Sequence, residues 1–131
     1  MITYKDAGVD VEKAEEFLAT IRTRIQATFT PLVLNPIGAF AALAELPKDY
    51  SEPVLVASTD GVGTKLKIAF LSGKHDTVGI DLVAMSVNDI LTMGARPLFF
   101  LDYFACGKLD GSVYKDVIAG ICDGCLMAGC S

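Results

Sequence analysis

The sequence predicts a mixed α/β (α+β) fold in a single domain. Its 131 residues are 52% hydrophobic, which is enough for one core. Three segments carry apolar residues at helical spacing, and three shorter runs are rich in β-branched or aromatic residues or alternate in polarity. Their order is helix, strand, strand, helix, strand, helix, which lacks the strict alternation of a doubly wound parallel sheet.

The first predicted element is an amphipathic helix over residues 11–28, with Asp10 as its N-cap. Its apolar residues recur at helical spacing: Val11, Ala14, Phe17, Leu18, Ile21 and Ile25. Prolines then bracket an apolar loop, and residues 41–46 predict a short helical turn that ends at Pro47.

Two strands are predicted next. Residues 53–59 form a short β-branched run bounded by turn residues, which is typical of a buried strand that ends at Asp60 and Gly61. In residues 65–71, lysines alternate with apolar residues, as expected for a strand with one face in water.

The second half of the chain predicts a helix, a strand and a helix. Residues 77–93 are an apolar segment of helical length, and we expect a buried helix there. Residues 97–106 are aromatic-rich, as strands are. A last helix begins near Ser112 and ends near Gly129.

Charge and hydropathy disfavour several classes of partner. The 11 Lys and Arg against 16 Asp and Glu give a net charge of −5, which disfavours binding to nucleic acids and to anionic membranes. The N-terminus does not resemble a secretory leader, and no apolar run reaches the roughly 20 residues that span a bilayer. We expect a cytoplasmic protein, and the high apolar content predicts that part of its surface meets another chain or domain.

The most informative stretch is the glycine-containing segment 59–65. Its two glycines let backbone N–H groups approach an anion, while Asp60 can hold a cation and Lys65 a phosphate. The spacing matches neither the Walker A loop nor the dinucleotide fingerprint. The alternative is an ordinary Asp-Gly turn followed by a solvent-exposed lysine.

A second candidate site lies in the predicted buried helix. Asp81, Asn88 and Asp89 fall along one side of it at 3.6 residues per turn. Carboxylates in an apolar helix are costly unless they are paired or bind a metal, so this side is a candidate Mg²⁺ site. The alternative is hydrogen bonding to local backbone or to helix N-termini.

Two further polar residues have alternative roles. His75 beside Asp76 is either a general base or a surface or helix-capping residue. Asp102, within a hydrophobic run, is a candidate to pair with Lys65 or Lys108.

The cysteines are more typical of buried thiols than of a zinc site. The C-x-x-C pair lies inside a predicted apolar helix, and the spacing of the next pair is not that of a zinc knuckle. The four residues are Cys106, Cys122, Cys125 and Cys130.

Read together, these segments resemble the aminoimidazole ribonucleotide synthetases (phosphoribosylformylglycinamidine cyclo-ligases). The resemblance spans nearly the whole chain in family order. It is carried by residues 4–10, 59–66, 75–85, 87–89, 97–103 and 107–110.

The resemblance implies ATP-dependent cyclisation of formylglycinamidine ribonucleotide to aminoimidazole ribonucleotide through a phosphorylated amide. It also implies a mixed sheet with helices on one face, a homodimer whose sheets join across the two-fold axis, and ATP and Mg²⁺ as cofactors. Relatives that use ATP, such as thiamine monophosphate kinase and selenophosphate synthetase, bind metal through carboxylates that correspond to Asp60 and Asp89. Lys65 and His75 are the implied catalytic residues, and the implied nucleotide-binding residues are Asp60, Gly61, Gly63, Thr64, Lys65, Asp81 and Asn88.

Two departures from the family pattern qualify this expectation. Residues 37–41 lack the Gly-Gly-Phe-Gly form usual in the family, and the added methyl groups restrict close approach of a nucleotide. The resemblance also implies that residues 1–131 are an N-terminal ATP-binding and dimerisation domain, ending before a Gly-Gly-Glu-Thr motif and a second domain. The alternatives are a non-catalytic dimerising module and a related ATP-dependent phosphotransferase.

Overall fold

A computed structural model describes residues 3–131. Within that range the chain forms four helices and one isolated antiparallel bridge, which joins Val33 and Ala44. No β-strand is formed among these residues, so the predicted mixed sheet is not confirmed. The helices are α1 (Val11–Gln26), α2 (Lys65–Ser72), α3 (Val78–Leu91) and α4 (Gly111–Ala128).

The three long helices confirm the sequence predictions. As predicted, α1 begins after Asp10, whose side chain accepts a hydrogen bond from the Lys13 N–H at 3.2 Å. At the start of α4, Asp110 caps the first turn by accepting from the Ser112 and Val113 N–H groups. Such caps satisfy N–H groups that otherwise lack an intrahelical partner.

The core lies between α3 and α4, whose backbones approach closely at two glycines. A Cβ at Gly79 would overlap the backbone of α4, and one at Gly120 would overlap the Asp76 carbonyl. Farther along the pair, Val83 is almost fully buried and packs against Gly124. The two helices can pack this closely because Gly79 and Gly120 have no side chains.

A second contact attaches α1 to α4. The Arg24 guanidinium donates two hydrogen bonds to the Asp123 carboxylate, at 2.7 and 2.8 Å. This charge-assisted pair raises the pKa of Arg24 and fixes the orientation of the two helices more than it adds stability, because both side chains remain about half exposed.

Two local sequence predictions are wrong. Residues 65–71 lie in helix α2 rather than in a strand, because Leu66, Ala69 and Phe70 also fit helical spacing and Gly73 ends the helix in the left-handed conformation. Residues 41–46 are not helical. They pair with residues 32–34 instead, through hydrogen bonds from Leu34 N–H to Leu43 and from Glu45 N–H to Leu32.

The other two predicted strands are not assigned in residues 3–131 because a strand requires a paired neighbour. Residues 53–59 are neither helical nor paired as a strand. Residues 97–106 contact the last residue of the chain. The Ser131 N–H donates to Leu98 at 3.2 Å, and the Phe100 N–H donates to Ser131 at 2.7 Å, which is the bonding pattern of one rung of a parallel ladder.

Much of the apolar surface of the described chain is exposed. Val54 is 85% exposed, Leu71 89% and Tyr103 89%. Surfaces of this kind usually meet another chain or domain. In the part of the chain that the structure describes, none of the helices has the length and apolarity needed to cross a membrane.

Candidate functional site

The glycine-containing segment and the serine before it, together called the loop (residues 58–65), lie along α3 and are attached to it at both ends. At one end the Ser58 hydroxyl donates to Asp89 Oδ2 at 2.7 Å. At the other end Lys65 Nζ lies 3.3 Å from Asp81 Oδ1. These two carboxylates are eight residues apart, or about 12 Å along the helix axis at 1.5 Å per residue.

The two attachments show which side of α3 faces the segment. Asp81 and Asp89 both contact it, as their shared side of the helix predicts. Asn88 is exposed, and its backbone carbonyl accepts from the Thr92 N–H at the helix end. Asp81 and Asp89 thus position the loop. The side-chain carboxylate of each contacts a residue of the loop, so their role is not limited to hydrogen bonds with the backbone of their own helix.

Between the attachments, the loop is open above its glycines. Gly63 has φ of 66°, a conformation that L side chains rarely adopt, and a Cβ at Gly61 or Gly63 would meet no atom within 4 Å. Asp60 accepts a hydrogen bond from its neighbour, the Gly61 N–H, at 2.7 Å. A ligand can therefore approach the loop backbone closely.

The loop also borders a large cavity. Asp60, Gly61 and Val62 are part of the lining of a cavity of about 1240 Å³, which residues 97–105 line as well. Its volume exceeds the upper part of the range usual for small-molecule sites, roughly 1,000 Å³. The candidate site is thus an open cleft whose polar edge is the glycine-containing loop.

Lys65 is held in place without being buried. The Lys65 and Asp81 side chains are 51% and 46% exposed, so their ion pair contributes little to stability. Its effect is to orient the Lys65 ammonium group at the start of α2. Thr64 precedes that helix and makes no side-chain capping bond.

The predicted pairing of Asp102 is wrong. No salt bridge of Asp102 is found among residues 3–131, and Lys65 pairs with Asp81 instead. Asp102 is exposed as a residue, but partial desolvation of its carboxyl raises the pKa above its ordinary 3.8, against a smaller lowering by a hydrogen bond from the Tyr103 N–H. Asp102 lines the same cavity as the loop.

Asp102→Asn should increase the free energy of unfolding at pH 7 by a small amount, because solvent screens the carboxylate of this exposed residue. A carboxyl whose pKa is raised by folding destabilises the native state where it is ionised, and this cost disappears below its unfolded pKa of 3.8. The stabilising effect should therefore shrink as the pH falls towards about 4. Urea unfolding at the two pH values measures it, and equal or lower stability of the variant at pH 7 would contradict the assignment.

His75 takes part in neither of the two attachments. It is half-buried, and its ring lies 6.1 Å from that of Phe70 at an interplanar angle of 58°. The N-cap of α3 is Thr77, so His75 does not cap that helix. A catalytic role for His75 stays a prediction.

The donor chemistry of the loop fits a hard cation. In residues 3–131, no three His, Cys, Asp or Glu side chains come together as a metal cluster. The oxygen donors at the first attachment are Ser58 and Asp89, and Asp60 follows Ser58 by two residues in the sequence. Mg²⁺ is usually held by one or two carboxylates together with waters and substrate phosphates, so two carboxylates are sufficient protein ligands.

Comparison with known families identifies the domain. Residues 39–131 match the family described as "AIR synthase related protein, N-terminal domain". The chain belongs to this family. The matched region includes the loop, both of its attachments and the α3–α4 core of this AIR synthase related domain.

Similar curated proteins carry one name, phosphoribosylformylglycinamidine cyclo-ligase. The protein from Chromobacterium violaceum is 59% identical over 130 residues, covering 99% of this chain and 38% of the relative. The one from Clostridium tetani is 60% identical over 131 residues, covering 100% of this chain and 39% of the relative. For Sorangium cellulosum the values are 58% over 130 residues, 99% and 37%. The chain therefore spans less than two fifths of the length of these relatives.

Sequence reasoning missed two partners in the site. Ser58 donates a hydrogen bond to Asp89, but it lies in residues 53–59, which the sequence predicts as a buried strand. The signal that could have identified it is its hydroxyl, which is a hydrogen-bond donor directly before the glycine-containing segment. Asp81 as the partner of Lys65 was missed because residues 65–71 were assigned to a strand. Placing Lys65 at the first turn of a helix brings it to α3.

Proposed function

We propose that this chain is the N-terminal ATP-binding domain of a phosphoribosylformylglycinamidine cyclo-ligase. The complete enzyme would convert formylglycinamidine ribonucleotide to aminoimidazole ribonucleotide in purine biosynthesis, in the cytoplasm, with ATP consumed. The observation that carries the proposal is the open glycine loop held on α3 by Ser58–Asp89 and Lys65–Asp81. The 58–60% identity to proteins of that name, over nearly the whole chain, supports the same reading.

The reaction requires charge neutralisation more than covalent chemistry from the protein. ATP would phosphorylate the amide oxygen of the substrate, and an internal nitrogen would then attack the activated carbon and release phosphate. The transferring phosphoryl group carries negative charge on its outer oxygens, which preorganised cations and N–H groups stabilise. Lys65 supplies a cation at the loop, and the loop backbone supplies N–H groups.

Each attachment has a role in this arrangement. Asp81 positions the Lys65 ammonium group through their 3.3 Å contact, so that it is oriented before ATP arrives. Ser58 fixes one oxygen of Asp89 and leaves the other available. We assign Asp60 and Asp89 as the residues that hold Mg²⁺, which when bound neutralises phosphate oxygens.

We further propose that the apolar surface is covered in a homodimer. The exposed apolar residues include Val54, Leu55, Leu101 and Tyr103, which lie in the two segments whose sequences predict strands. Pairing of residues 53–59 and 97–106 within a mixed sheet that continues across a two-fold axis would bury them. Ser131 forms backbone hydrogen bonds with Leu98 and Phe100 in the pattern of a parallel ladder, which supports a strand role for residues 97–106.

Asp89→Asn tests the metal assignment. The experiment uses a chimera in which residues 1–131 are followed by the remaining region of the Chromobacterium violaceum relative. We expect the affinity for ATP at limiting Mg²⁺ to fall about tenfold or more, because the variant removes a charge without changing shape. Isothermal titration calorimetry measures the affinity.

Asp116→Asn is the matched control for this prediction, because Asp116 is an exposed carboxylate on α4, away from the loop. Ser58→Ala should also weaken binding, by less than Asp89→Asn, because it removes only the hydrogen bond that orients Asp89. Equal affinity of the Asp89→Asn and wild-type chimeras at limiting Mg²⁺ would show that Asp89 has a structural role only.

A further inference from the structure

Three of the four cysteines lie near the C-terminal end of α4. Cys122, Cys125 and Cys130 are each no more than 3% exposed, whereas Cys106 is exposed. The candidate ATP site uses none of them. Their burial confirms the sequence prediction of buried thiols for these three residues.

The end of α4 is a Schellman motif that brings two of these thiols together. Gly129 adopts the left-handed conformation, with φ 71° and ψ 32°. The Cys130 N–H donates to the Cys125 carbonyl at 3.0 Å, and the Gly129 N–H donates to Leu126 at 3.3 Å. In this motif the side chains at the positions of Cys125 and Cys130 commonly make an apolar contact. Here both are thiols.

The motif places the two thiols next to each other in the buried core. Their interaction lowers the pKa of Cys130 to about 7 and raises the pKa of Cys125. Both residues belong to the cluster formed with Val83 and Ile121. Cys122 lies outside that cluster, and burial raises the pKa of its thiol.

We propose that Cys125 and Cys130 are a redox pair that a hydroperoxide oxidises to an intramolecular disulfide. The Cys130 sulfur attacks the peroxide oxygen, the O–O bond breaks, and Cys130 becomes a sulfenic acid as water or an alcohol leaves. The Cys125 sulfur then attacks the Cys130 sulfur, the S–S bond forms, the S–O bond of the sulfenic acid breaks, and the hydroxyl group takes up the Cys125 thiol proton and leaves as water. Two thiols are oxidised and one peroxide is reduced.

The cavity offers a route to Cys130. Cys130 is only 2% exposed but is one of the residues that line the cavity of about 1240 Å³, and we expect a small peroxide to approach it from there. The disulfide would close a ring across Gly129, adjacent to Ser131, which pairs with Leu98 and Phe100. Oxidation would thereby fix the link between the end of α4 and residues 97–106.

The pairing differs from the one that sequence motif alone indicates. Cys122 and Cys125 have the C-x-x-C spacing of redox motifs, but they lie inside a continuous helix. The structure assigns the bond to Cys125 and Cys130 instead. The two pairings leave different cysteines free and are therefore distinguishable.

The test is peptide mapping of the wild-type 131-residue chain after treatment with hydrogen peroxide, under conditions where the circular dichroism spectrum is unchanged. Free thiols are then blocked with N-ethylmaleimide in denaturant. No Lys or Arg follows Lys115, so trypsin releases residues 116–131 as one peptide with all three buried cysteines. Before oxidation we expect three blocked thiols in this peptide. After oxidation we expect one blocked thiol, at Cys122. Apart from the mass of the blocking groups, the oxidised peptide should be lighter than the reduced peptide by the mass of two hydrogen atoms.

Three results would overturn the proposal. These are retention of three blocked thiols when the exposed Cys106 is fully oxidised, a disulfide that includes Cys122, or sulfinic acid at Cys130 without a disulfide. Cys122→Ala should leave the Cys125–Cys130 bond intact, and Cys125→Ser should abolish every disulfide in the peptide. Since the wild-type map already decides the pairing, the conclusion does not depend on the folding of either variant.

Discussion

Gly79→Ala is expected to lower the free energy of unfolding by about 3 kcal/mol or more, or to prevent folding. The added Cβ would overlap the Val117 carbonyl and the Ile121 N–H, which are backbone atoms of α4 and cannot move aside as a side chain can. Alanine is otherwise preferred to glycine in helices by about 1 kcal/mol, so the sign of the effect separates packing from helix propensity. Urea unfolding followed by circular dichroism measures it.

Gly120→Ala should be similarly destabilising, because its Cβ would overlap the Asp76 carbonyl. Gly107→Ala is the control, since a Cβ there would meet no atom within 4 Å and its φ is ordinary. That variant should stay within about 0.5 kcal/mol of wild type. If Gly79→Ala also stayed within that range, the close approach of α3 and α4 would be wrong.

Lys65→Met is expected to lower kcat of the chimera about a hundredfold or more, because it removes a preorganised cation from the proposed site of phosphoryl transfer. The Lys65–Asp81 pair is half exposed, so stability should change little. Steady-state kinetics of ADP formation, with unfolding curves beside them, measure the two effects separately.

Lys67→Met is the matched control for Lys65, because Lys67 is an exposed lysine on the same helix, two residues farther along. It should retain wild-type kcat. Asp81→Asn should lower kcat less than Lys65→Met does, since Asp81 positions Lys65 without replacing it. A Lys65→Met chimera as active as the Lys67→Met chimera would remove Lys65 from the mechanism.

The helices α1, α3 and α4 were predictable because each combines a long apolar period with local end signals. Asp10 caps α1, and Gly129 ends α4 in the left-handed conformation. Helix α2 was not predictable in this way. The alternation of lysines with apolar residues over residues 65–68 fits a strand, and the spacing of Leu66 and Phe70 fits a helix equally well. Short segments of this kind are decided by tertiary packing, which the spacing of a few residues does not contain.

The predicted strands depend on partners that local sequence does not specify. Residues 97–106 have the composition of a strand, but in residues 3–131 they meet the backbone only of Ser131 in a strand-like pattern. A ladder needs two aligned segments, and one rung is too little for a strand. Composition alone therefore predicted a sheet that the described residues do not form.

The shared side of two candidate-site carboxylates was predictable, but their contacts were not. Helical periodicity placed Asp81 and Asp89 on one side of α3, and both do contact the loop. Which residue each one meets depends on how the loop crosses the helix, and periodicity does not contain that information. For the same reason the partner of Lys65 was assigned to Asp102 or left to solvent.

The most direct test of the proposed function is turnover by the chimera with formylglycinamidine ribonucleotide, ATP and Mg²⁺. We expect aminoimidazole ribonucleotide, ADP and phosphate to form in equal amounts, and the added region of the relative alone to be inactive. The contradictory result is a folded chimera that forms none of the imidazole product, or that phosphorylates thiamine monophosphate instead. In that case the domain would serve a different reaction within its family.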